Sequence, residues 1–384
     1  MSRTLLIAAG TPMEAAVAED GRLAEYLIDS GDGGAADTVL LGRVERIVKG
    51  MDAAFVDIGA ERSAFLPLKE KSGSFDAVPL QCGMAVPVQI RREAHDRKGA
   101  FLSRDITLCG EYVLLMPLNR YTGISAKITD GEAREALKRL GRELSGDRFG
   151  LVLRTAAAEA DAELIAAEAE ELYARWEEIR RAAATAHVPS VLYRGGGLTE
   201  GLLRDYAPRG IDAVVTNDSG AAAAFRDICP VTLTEDDPIA ARGLYRERDR
   251  ALERFVWLKS GGSLFIDECE ALTVIDVNSG KYTGKRCQGD TALRIDLEAC
   301  GEIARQLRLR ALGGIIIIDF IDLRGEDERR QVTDRLAECL REDRCKTVIH
   351  GFTALGLLEM TRKRTRVTLR EAMRRLNEQG ERNE

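Results

Sequence analysis

The sequence predicts a multidomain α/β protein that also contains a small all-β barrel. Short apolar segments, separated by Gly, Pro and charged residues, run from about residue 38 to 118 and are typical of β-strands. From about residue 190, strand-like and helix-like segments alternate, as they do in α/β domains. With 384 residues, the chain is long enough for two or more hydrophobic cores.

The composition indicates a globular protein, with 45% hydrophobic and 31% charged residues. No apolar run approaches the ~20 residues of a membrane span, and the N-terminus lacks the features of a signal peptide, so we expect a cytoplasmic protein without membrane contact. The eight cysteines form no C-x-x-C pair, which argues against a zinc site. The net charge of −7 is a weak guide to nucleic-acid binding, because binding depends on where the charges lie.

The N-terminal part of the chain is predicted to be mostly β. Residues 1–30 are predicted to form two strands around the turn EDGR. Five further strands suit a Greek-key barrel of the OB type, with the segments TVLLGRVERIV, AAFVDIG, SAFLPL, MAVPVQI and YVLLMP. Helices follow over 131–145 and 157–186, on either side of the strand FGLVLRTA. The second helix has an apolar face at helical spacing, formed by Ile165, Leu172, Trp176 and Ile179.

The remaining chain is predicted to alternate strands and helices. The strand segments are SVLYR, GIDAVVTND, CPVTLT, GGSLFIDECEALTVIDVNSG, GIIIIDFIDL and KTVIHGF. Helices are predicted for LTEGLLRDYA and SGAAAAFRD and for residues 237–255, 291–312 and 325–342. Such alternation predicts strand–helix–strand units, in which successive strands lie side by side.

Two of these strands end in carboxylates. ALTVIDVNSG carries Asp276, with Asn278 on the same face, and GGIIIIDFID carries Asp319 and Asp322. A strand–helix–strand unit would place Asp276 and Asp319 at one edge of a sheet. Two ionised carboxylates repel each other unless a cation lies between them, and Mg²⁺, or alternatively Mn²⁺, suits such ligands and activates water. The alternative is that these aspartates only cap turns at strand ends.

Other residues favour an RNA or phosphate-bearing ligand. The loop SGKYTGKR follows the first carboxylate strand, and Arg154 with Thr155 offers a guanidinium and a hydroxyl for a terminal phosphate. Phe55 and Phe65 are on consecutive barrel strands, where OB folds stack bases, and Lys98 is placed to contact the RNA backbone. Core packing is the alternative for each Phe. The basic segments RREAHDRK, RQLRLR and TRKRTR are each typical of a solvated face, but together they favour RNA binding.

Several segments together resemble the ribonuclease E/G family of bacterial endoribonucleases. They are MDAAFVDIGAERSAFLPL, GLVLRTA, EALTVIDVNSGK, LEACGEIARQLRLRALGGIIIIDFIDL and LGLLEMTRKR, which occur in the family's order over almost the whole chain. The resemblance implies an RNase H-like subdomain split between 1–36 and 190–251, an OB-fold RNA-binding domain at 37–118, a 5′-sensor region at 119–189 and a DNase I-like catalytic domain at 252–384.

The resemblance also implies an activity and roles for individual residues. Members of the family cut single-stranded, often A/U-rich, RNA with Mg²⁺ and leave 5′-phosphate and 3′-hydroxyl ends. The implied roles are metal binding by Asp276 and Asp319, support of that site by Asn278 and Asp322, 5′-monophosphate binding by Arg154 and Thr155, and RNA contact by Phe55, Phe65, Lys98 and, near the cleavage site, Lys346.

Three departures from the family's pattern change these expectations. Members continue past EMTRKR into a C-P-x-C motif whose cysteines share a zinc ion between two chains. This sequence lacks that motif, so we expect no zinc, and either a monomer or a homodimer made by other contacts. Ala126 replaces a basic residue, and TALGL at 353–357 replaces a segment with Arg and Phe. We therefore expect activity with weaker dependence on the RNA 5′ end.

The sequence thus predicts a Mg²⁺-dependent endoribonuclease that acts on single-stranded RNA, such as rRNA precursors and mRNA, in rRNA processing or mRNA decay. The alternative is an RNA-binding protein with little or no catalysis that acts through the OB fold. The enzyme is favoured because Asp276, Asn278 and Asp319 are all present. A DNA nuclease is disfavoured because the other modules suit single-stranded RNA.

Overall fold

The computed structural model describes most of the chain. The described residues are 2–29, 36–69, 79–94, 98–126, 128–195, 197–280, 288–323 and 325–383, without the side chains of 208, 288–291 and 379–383. The chain divides into two compact units. Residues 1–29 with 210–384 form one, which we call the discontinuous unit, and residues 30–209 form the other, which we call the inserted unit.

The strands and helices of the described residues are numbered in chain order. The strands are β1 (Arg3–Ala8), β2 (Met13–Glu19), β3 (Arg22–Asp29), β4 (Val39–Val48), β5 (Ala53–Asp57), β6 (Ala64–Pro67), β7 (Ala85–Arg92), β8 (Phe101–Ser103), β9 (Leu108–Cys109), β10 (Val113–Met116), β11 (Thr122–Ile124), β12 (Gly150–Leu153), β13 (Ser190–Tyr193), β14 (Ala213–Thr216), β15 (Val231–Leu233), β16 (Phe255–Trp257), β17 (Ser263–Glu268), β18 (Leu272–Asn278), β19 (Gly314–Asp319), β20 (Thr347–Phe352) and β21 (Leu358–Arg362). The helices are α1 (Gly131–Ser145), α2 (Ala162–Thr185), α3 (Leu198–Tyr206), α4 (Ser219–Phe225), α5 (Pro238–Ala241), α6 (Leu244–Arg250), α7 (Gln288–Leu309), α8 (Glu326–Cys339) and α9 (Leu369–Asn383).

The first sheet of the discontinuous unit has the strand order β15-β14-β1-β2-β3. β1 is parallel to β14 and antiparallel to β2, so the first strand of the chain pairs with a strand that comes after the inserted unit in sequence. Two strands are predicted for residues 1–30, whereas the structure has three. Gly10 and Pro12 interrupt the first apolar run, and the predicted turn forms at Asp20 and Gly21, both in the left-handed conformation.

The second sheet of the discontinuous unit has the order β16-β17-β18-β19-β21-β20. Helices α7 and α8 cover one face. Alternate apolar residues of the strands fill the core beneath them: Leu264, Ile266, Ile275, Val277, Ile316, Ile318, Leu358 and Met360. Ile315 is 50% exposed, so the run of four isoleucines alternates between two faces. We call the face opposite α7 and α8 the carboxylate face.

The inserted unit contains a closed five-stranded barrel. Its strand order is β4-β5-β6-β8-β7, and β7 also pairs with β4, as expected for the predicted OB-like fold. The predicted fifth strand is wrong, because Val113–Met116 pairs with β9 and β12 in a separate sheet and Phe101–Ser103 completes the barrel. Both segments are apolar, and only their long-range pairing distinguishes them. Ser190–Tyr193 joins the barrel sheet by pairing with β4.

A second sheet of the inserted unit has the order β11-β12-β10-β9. Helices α1 and α2 pack against it, and the predicted apolar face of α2 is confirmed by the burial of Ile165, Leu172, Trp176 and Ile179. α1 begins at the predicted residue, where the Asp130 side chain accepts a hydrogen bond from the backbone N–H of Glu132. The predicted strand before Arg154 is β12.

The predicted helix over 237–255 is two short helices, α5 and α6. Gly243 separates them with φ of +68°, a left-handed conformation that interrupts a helix. β21 and α9 are not among the predicted elements. None of the described helices is both long and apolar enough to cross a membrane. The fold is therefore mixed α/β with an OB-like barrel, whereas the four named domains and their boundaries stay predictions.

Two of the three basic clusters contribute to internal ion pairs. In RQLRLR, Arg308 pairs with Glu19, and in TRKRTR, Arg362 pairs with Asp343; the side chains of all four residues are buried. The expectation that these clusters form an RNA-binding surface is wrong for these two arginines, because each is buried and forms an ion pair with a carboxylate distant in sequence. The cluster at 91–98 lies partly outside the described residues.

Candidate active site

Asp276 and Asp319 lie directly opposite each other on neighbouring strands. β18 and β19 are parallel, and their register pairs these two residues at the carboxyl ends of both strands. Their side chains point to the carboxylate face, because Ile275 and Ile318 point into the core beneath α7 and α8. The predicted meeting of the two aspartates at one edge of a sheet is therefore confirmed.

Hydrogen bonding and charge act differently on the two carboxylates. Asn278 Nδ2 donates to Asp276 Oδ2 at 2.7 Å, which orients that carboxylate. Partial burial raises the pKa of Asp319, and the negative charges of Asp276 and Asp322 raise it further. Asp322 is exposed and lies beyond the end of β19. The site concentrates negative charge that a cation would stabilise.

A buried carboxylate on α7 supports the same edge of the sheet. Asp296 is fully buried, and its Oδ1 accepts a hydrogen bond from the backbone N–H of Ile321 at 3.0 Å. Burial raises the pKa of Asp296 to about 7, and the charges of Glu328 and Asp319 raise it while the Ile321 N–H lowers it. Asp296 therefore fixes the backbone just beyond the carboxylate-bearing strand β19.

The Asp276–Asp319 pair fits a hard divalent cation. In the part of the chain that the structure describes, no group of three or more His, Cys, Asp or Glu side chains is arranged to hold a metal. Mg²⁺ usually takes one or two protein carboxylates and completes its six ligands with water and substrate phosphate, so two carboxylates suffice. The like charges that raise the pKa of Asp319 support this fit, because a cation between them would remove the repulsion.

Three phenylalanine rings form a cluster on the barrel. Phe55 and Phe65 are register partners on β5 and β6, with ring centroids 6.0 Å apart. Phe101 on β8 stacks on Phe65 at 5.5 Å, and all three residues are half-buried. The guanidinium of Arg46 lies 4.2 Å from the Phe55 ring centre, and that of Arg92 lies 4.5 Å from the Phe101 ring centre. Partly exposed rings with neighbouring cations are what OB folds use to bind single strands.

Lys98 is exposed on the inserted unit. The backbone of the adjacent Gly99 packs closely against the barrel, and a Cβ there would lie 2.2 Å from the carbonyl oxygen of Ser63. This close approach fixes the position of Lys98. Arg97, which belongs to the basic segment RREAHDRK, and the basic residues of the loop SGKYTGKR lie outside the described residues.

Arg154 and Thr155 come directly after β12 in the inserted unit. The Arg154 guanidinium donates to the backbone carbonyls of Gly110 and Glu111. The Thr155 hydroxyl oxygen lies 3.1 Å from that of Ser125 and is exposed. The Arg154 guanidinium and the two hydroxyl groups carry hydrogen-bond donors that a phosphate could accept from, and the end-binding role stays a prediction.

Lys346 lies at the wrong end of the second sheet for the role that the resemblance implies. β20 runs parallel to β19, since both are antiparallel to β21, and the start of β20 is level with Gly314. Asp319 is at the other end of β19. At roughly 3.3 Å per residue, Asp319 lies about 20 Å from Lys346 along the strand direction. The turn at 353–357, which contains TALGL, is instead at the Asp319 end.

Comparison with known proteins identifies the family. Residues 107–365 match the model of the Ribonuclease E/G family. The chain is 36% identical to ribonuclease G of Escherichia coli (strain K12), over 94% of this chain and 80% of that protein, and 34% identical to ribonuclease G of Haemophilus influenzae over the same shares. It is also 36% identical to ribonuclease E of Escherichia coli (strain K12), over 86% of this chain and 34% of that protein. The chain belongs to the ribonuclease E/G family.

Membership of the ribonuclease E/G family confirms the resemblance and supports an endoribonuclease. The match includes the carboxylate strands and the Arg154–Thr155 segment, whereas the barrel aromatics lie before the matched range. The relatives' names specify ribonucleases but no metal, so the metal and the role of each residue stay predictions.

Several residues of these sites are not predicted from the sequence. Asp296 lies inside a predicted helix, where a polar residue is expected on the solvent side. Phe101 lies in a segment whose pattern does not predict a barrel strand. Phe255, Trp257 and Phe265 lie close to Asp276 in the second sheet, and only the strand register reveals it.

Proposed function

We propose that this chain is a Mg²⁺- or Mn²⁺-dependent endoribonuclease that cleaves single-stranded RNA in rRNA processing or mRNA decay. The observation that carries the proposal is the register pairing of Asp276 with Asp319 on the carboxylate face of a ribonuclease E/G family member. A bound divalent cation would polarise the phosphodiester and make water a better nucleophile at neutral pH. Attack of water on phosphorus, with departure of the 3′ oxygen, would leave 5′-phosphate and 3′-hydroxyl products.

The side chains at this site would hold the cation and fix the orientation of its carboxylate ligands. Asp276 and Asp319 present carboxylate oxygens from two adjacent strands, so their separation is set by the sheet rather than by mobile loops. Asn278 donates to Asp276 without adding charge, which keeps one carboxylate in a single orientation. Asp322 adds negative charge from the segment after β19 and is assigned a supporting role.

Substrate contacts are proposed for the inserted unit. Phe55 and Phe65, with Lys98, would hold single-stranded RNA on the barrel, and Arg154 with Thr155 would bind a 5′-monophosphate. Weaker dependence on the 5′ end, assembly without a zinc link and a cytoplasmic location stay predictions from the sequence. For Lys346 we propose at most a contact distant from the scissile bond, because of its position in β20.

The experiment that tests the proposal uses a short, A/U-rich single-stranded RNA with a 5′-monophosphate. Internal cleavage is compared for the wild type, for Asp319→Asn and for Asp334→Asn, an exposed carboxylate on α8 that controls for loss of a negative charge. We expect Mg²⁺-dependent cleavage by the wild type and by Asp334→Asn. Asp319→Asn or chelation should lower the rate by at least about a hundredfold.

Two outcomes would contradict the proposal. If chelator leaves cleavage unchanged, the metal assignment fails. If the RNA binds but stays intact with Mg²⁺ and with Mn²⁺, the chain is an RNA-binding protein that acts through the barrel. A single-stranded DNA of the same sequence, tested in parallel, separates a ribonuclease from a nuclease without sugar preference.

A further inference from the structure

Three aromatic side chains form a cluster on the carboxylate face. Phe255 lies between the other two, with ring centroids 4.7 Å from Trp257 and 4.9 Å from Phe265. Their neighbours in sequence, Val256 and Leu264, pack against the core beneath α7 and α8, so the three aromatic rings point away from it. Trp257 is 68% exposed, which is unusual for the largest apolar side chain.

The strand register brings this cluster to the metal-binding carboxylates. Phe255 is opposite Phe265, Phe265 is opposite Asp276, and Asp276 is opposite Asp319, so the four residues form one row across four strands. Neighbouring strands are about 4.8 Å apart, which places the backbone of Phe265 one strand from Asp276 and that of Phe255 two strands away. No other strand of the described sheet separates the aromatic rings from the carboxylates.

Cations flank the cluster, one before and one after β16. Lys259 is exposed in the turn between β16 and β17, two residues after Trp257. Arg254 lies 5.7 Å from the Phe265 ring centre and also pairs with Asp267. Aromatic faces with nearby Lys and Arg bind nucleotides by stacking the base and contacting the phosphate.

We propose that Phe255, Trp257 and Phe265 form a base-stacking platform for a nucleotide of the RNA that flanks the scissile phosphate. This inference rests on the proposed function, because it takes the phosphate of the same RNA to lie at the Asp276–Asp319 pair. The occupant is single-stranded RNA because the aromatic row is continuous with that pair. Stacking tolerates any base, so the platform would position the strand rather than select a sequence.

The platform has a direct spectroscopic test, because the chain has only two tryptophans and Trp176 is buried in α2. Trp176→Phe leaves Trp257 as the sole reporter. This full-length variant is titrated in EDTA, where the RNA should not be cleaved, with an A/U-rich RNA and with the same RNA carrying abasic positions. Fluorescence anisotropy of labelled RNA measures binding separately.

We expect saturable quenching of Trp257 by the intact RNA and little by the abasic RNA. The difference in quenching between the wild type and Trp257→Phe also isolates the signal of Trp257, and it leaves Trp176 in the core unchanged.

A cleavage experiment locates the nucleotide. A single abasic position is moved across the cleavage site, and kcat/KM is measured for the wild type, for Trp257→Ala and for Leu233→Ala, a control at an exposed apolar residue of the other sheet. For the wild type and Leu233→Ala, one abasic position should lower kcat/KM about five- to tenfold. Trp257→Ala should lower kcat/KM on intact RNA by a similar factor and should lose the sensitivity at that position.

Each outcome has a distinct meaning. RNA that binds by anisotropy without quenching Trp257, or equal abasic sensitivity in the wild type and Trp257→Ala, overturns the platform while leaving the nuclease intact. Quenching without cleavage under any metal supports the platform and contradicts the proposed catalysis. Self-association that Trp257→Ala abolishes, without quenching by RNA, assigns the cluster to a second copy of the chain. If the wild type neither binds nor cleaves RNA, both proposals fail.

Discussion

The side chain of Asp296 accepts a hydrogen bond from the backbone N–H of Ile321, two residues after the end of β19. Only one oxygen of this carboxylate is used. Oδ2 is buried and has no hydrogen-bond partner among the described residues. A carboxylate in that position is more stable protonated, which accounts for its pKa of about 7.

Replacement of Asp296 by Asn should change how stability depends on pH. Between the ordinary carboxyl pKa and about 7, the folded state holds a proton at Asp296 that the unfolded state has released. The contribution of Asp296 to the free energy of unfolding is therefore fully present at low pH and is lost as pH rises. The free energy of unfolding falls by at most about 1.4 kcal/mol per pH unit. Asp296→Asn keeps the acceptor and carries no charge. Its free energy of unfolding, measured in urea with EDTA, should exceed that of the wild type at pH 8 and approach it at pH 4. Parallel pH profiles would contradict the buried, protonated carboxylate.

Loss of the Asn278 amide should weaken metal binding more than catalysis. The amide donates to Asp276 Oδ2 at 2.7 Å, and removal of such a partner of a metal ligand typically costs 10- to 100-fold in affinity. Asn278→Ala should therefore need about 10- to 100-fold more Mg²⁺ for half-maximal cleavage and should recover most of kcat at saturation. The measurement is the initial rate against Mg²⁺ concentration, with Gln331→Ala, exposed on α8, as a control. A reduced kcat at an unchanged Mg²⁺ requirement would place Asn278 in a different role.

Removal of the Thr155 hydroxyl should reduce discrimination between RNA 5′ ends. Thr155→Val keeps the shape of the side chain but loses the group that meets Ser125. A hydrogen bond to a charged phosphate contributes about 1.5–3 kcal/mol, so the ratio of kcat/KM for 5′-monophosphate over 5′-hydroxyl RNA should fall by about tenfold or more. The rate on 5′-hydroxyl RNA should not change. Thr185→Val at the end of α2 is the matched control, and an equal loss on both RNAs would argue against end sensing.

Truncation of Phe65 should weaken RNA binding without changing its salt dependence. The ring lies between Phe55 and Phe101, and stacking of one base on an aromatic ring contributes about 1–3 kcal/mol. Phe65→Ala should raise Kd by about five- to 100-fold at every salt concentration, whereas Arg46→Gln should lower the slope of log Kd against log salt. Leu164→Ala, an exposed apolar residue of α2, controls for surface change. If Phe65→Ala changes the slope but leaves the affinity at high salt unchanged, the three rings are part of the barrel core only.

Features set by short-range pattern are predictable from the sequence, whereas features set by the meeting of distant segments are not. Alternation in ALTVIDVNSG and GIIIIDFIDL, with a helix between them, is sufficient to bring Asp276 and Asp319 together. The burial of Asp296 depends on how α7 packs on the sheet, which its own helix does not reveal. The position of Lys346 depends on β21, a strand that is not predicted because its charged residues Glu359 and Arg362 interrupt the apolar pattern. Arg308 belongs to a basic run in sequence, yet its partner is Glu19 in the first sheet.

The Glu19–Arg308 pair should stabilise the fold rather than bind RNA. Arg308 donates to both Glu19 oxygens, at 2.8 and 2.6 Å, and both side chains are buried. Although burial alone raises the pKa of Glu19, hydrogen bonds and charge from Arg308 and Arg3 lower it below its ordinary value. This stability is thus present above the ordinary carboxyl pKa and lost as pH falls through the lowered one. Arg308→Ala removes two hydrogen bonds from the buried Glu19 and leaves Arg3 as its remaining cationic partner. The variant should therefore lower the free energy of unfolding in urea at pH 7 by up to about 3 kcal/mol.

The matched control for Arg308→Ala is Arg374→Ala, which breaks a pair with the partly exposed Glu371 on the surface of α9 and should change stability little. Under conditions where Arg308→Ala is folded, its affinity for RNA and the salt dependence of binding should equal those of the wild type, because the guanidinium does not reach the surface. A reduced salt slope with unchanged stability would instead place Arg308 on an RNA-binding surface. That result would restore the expectation drawn from the basic run RQLRLR.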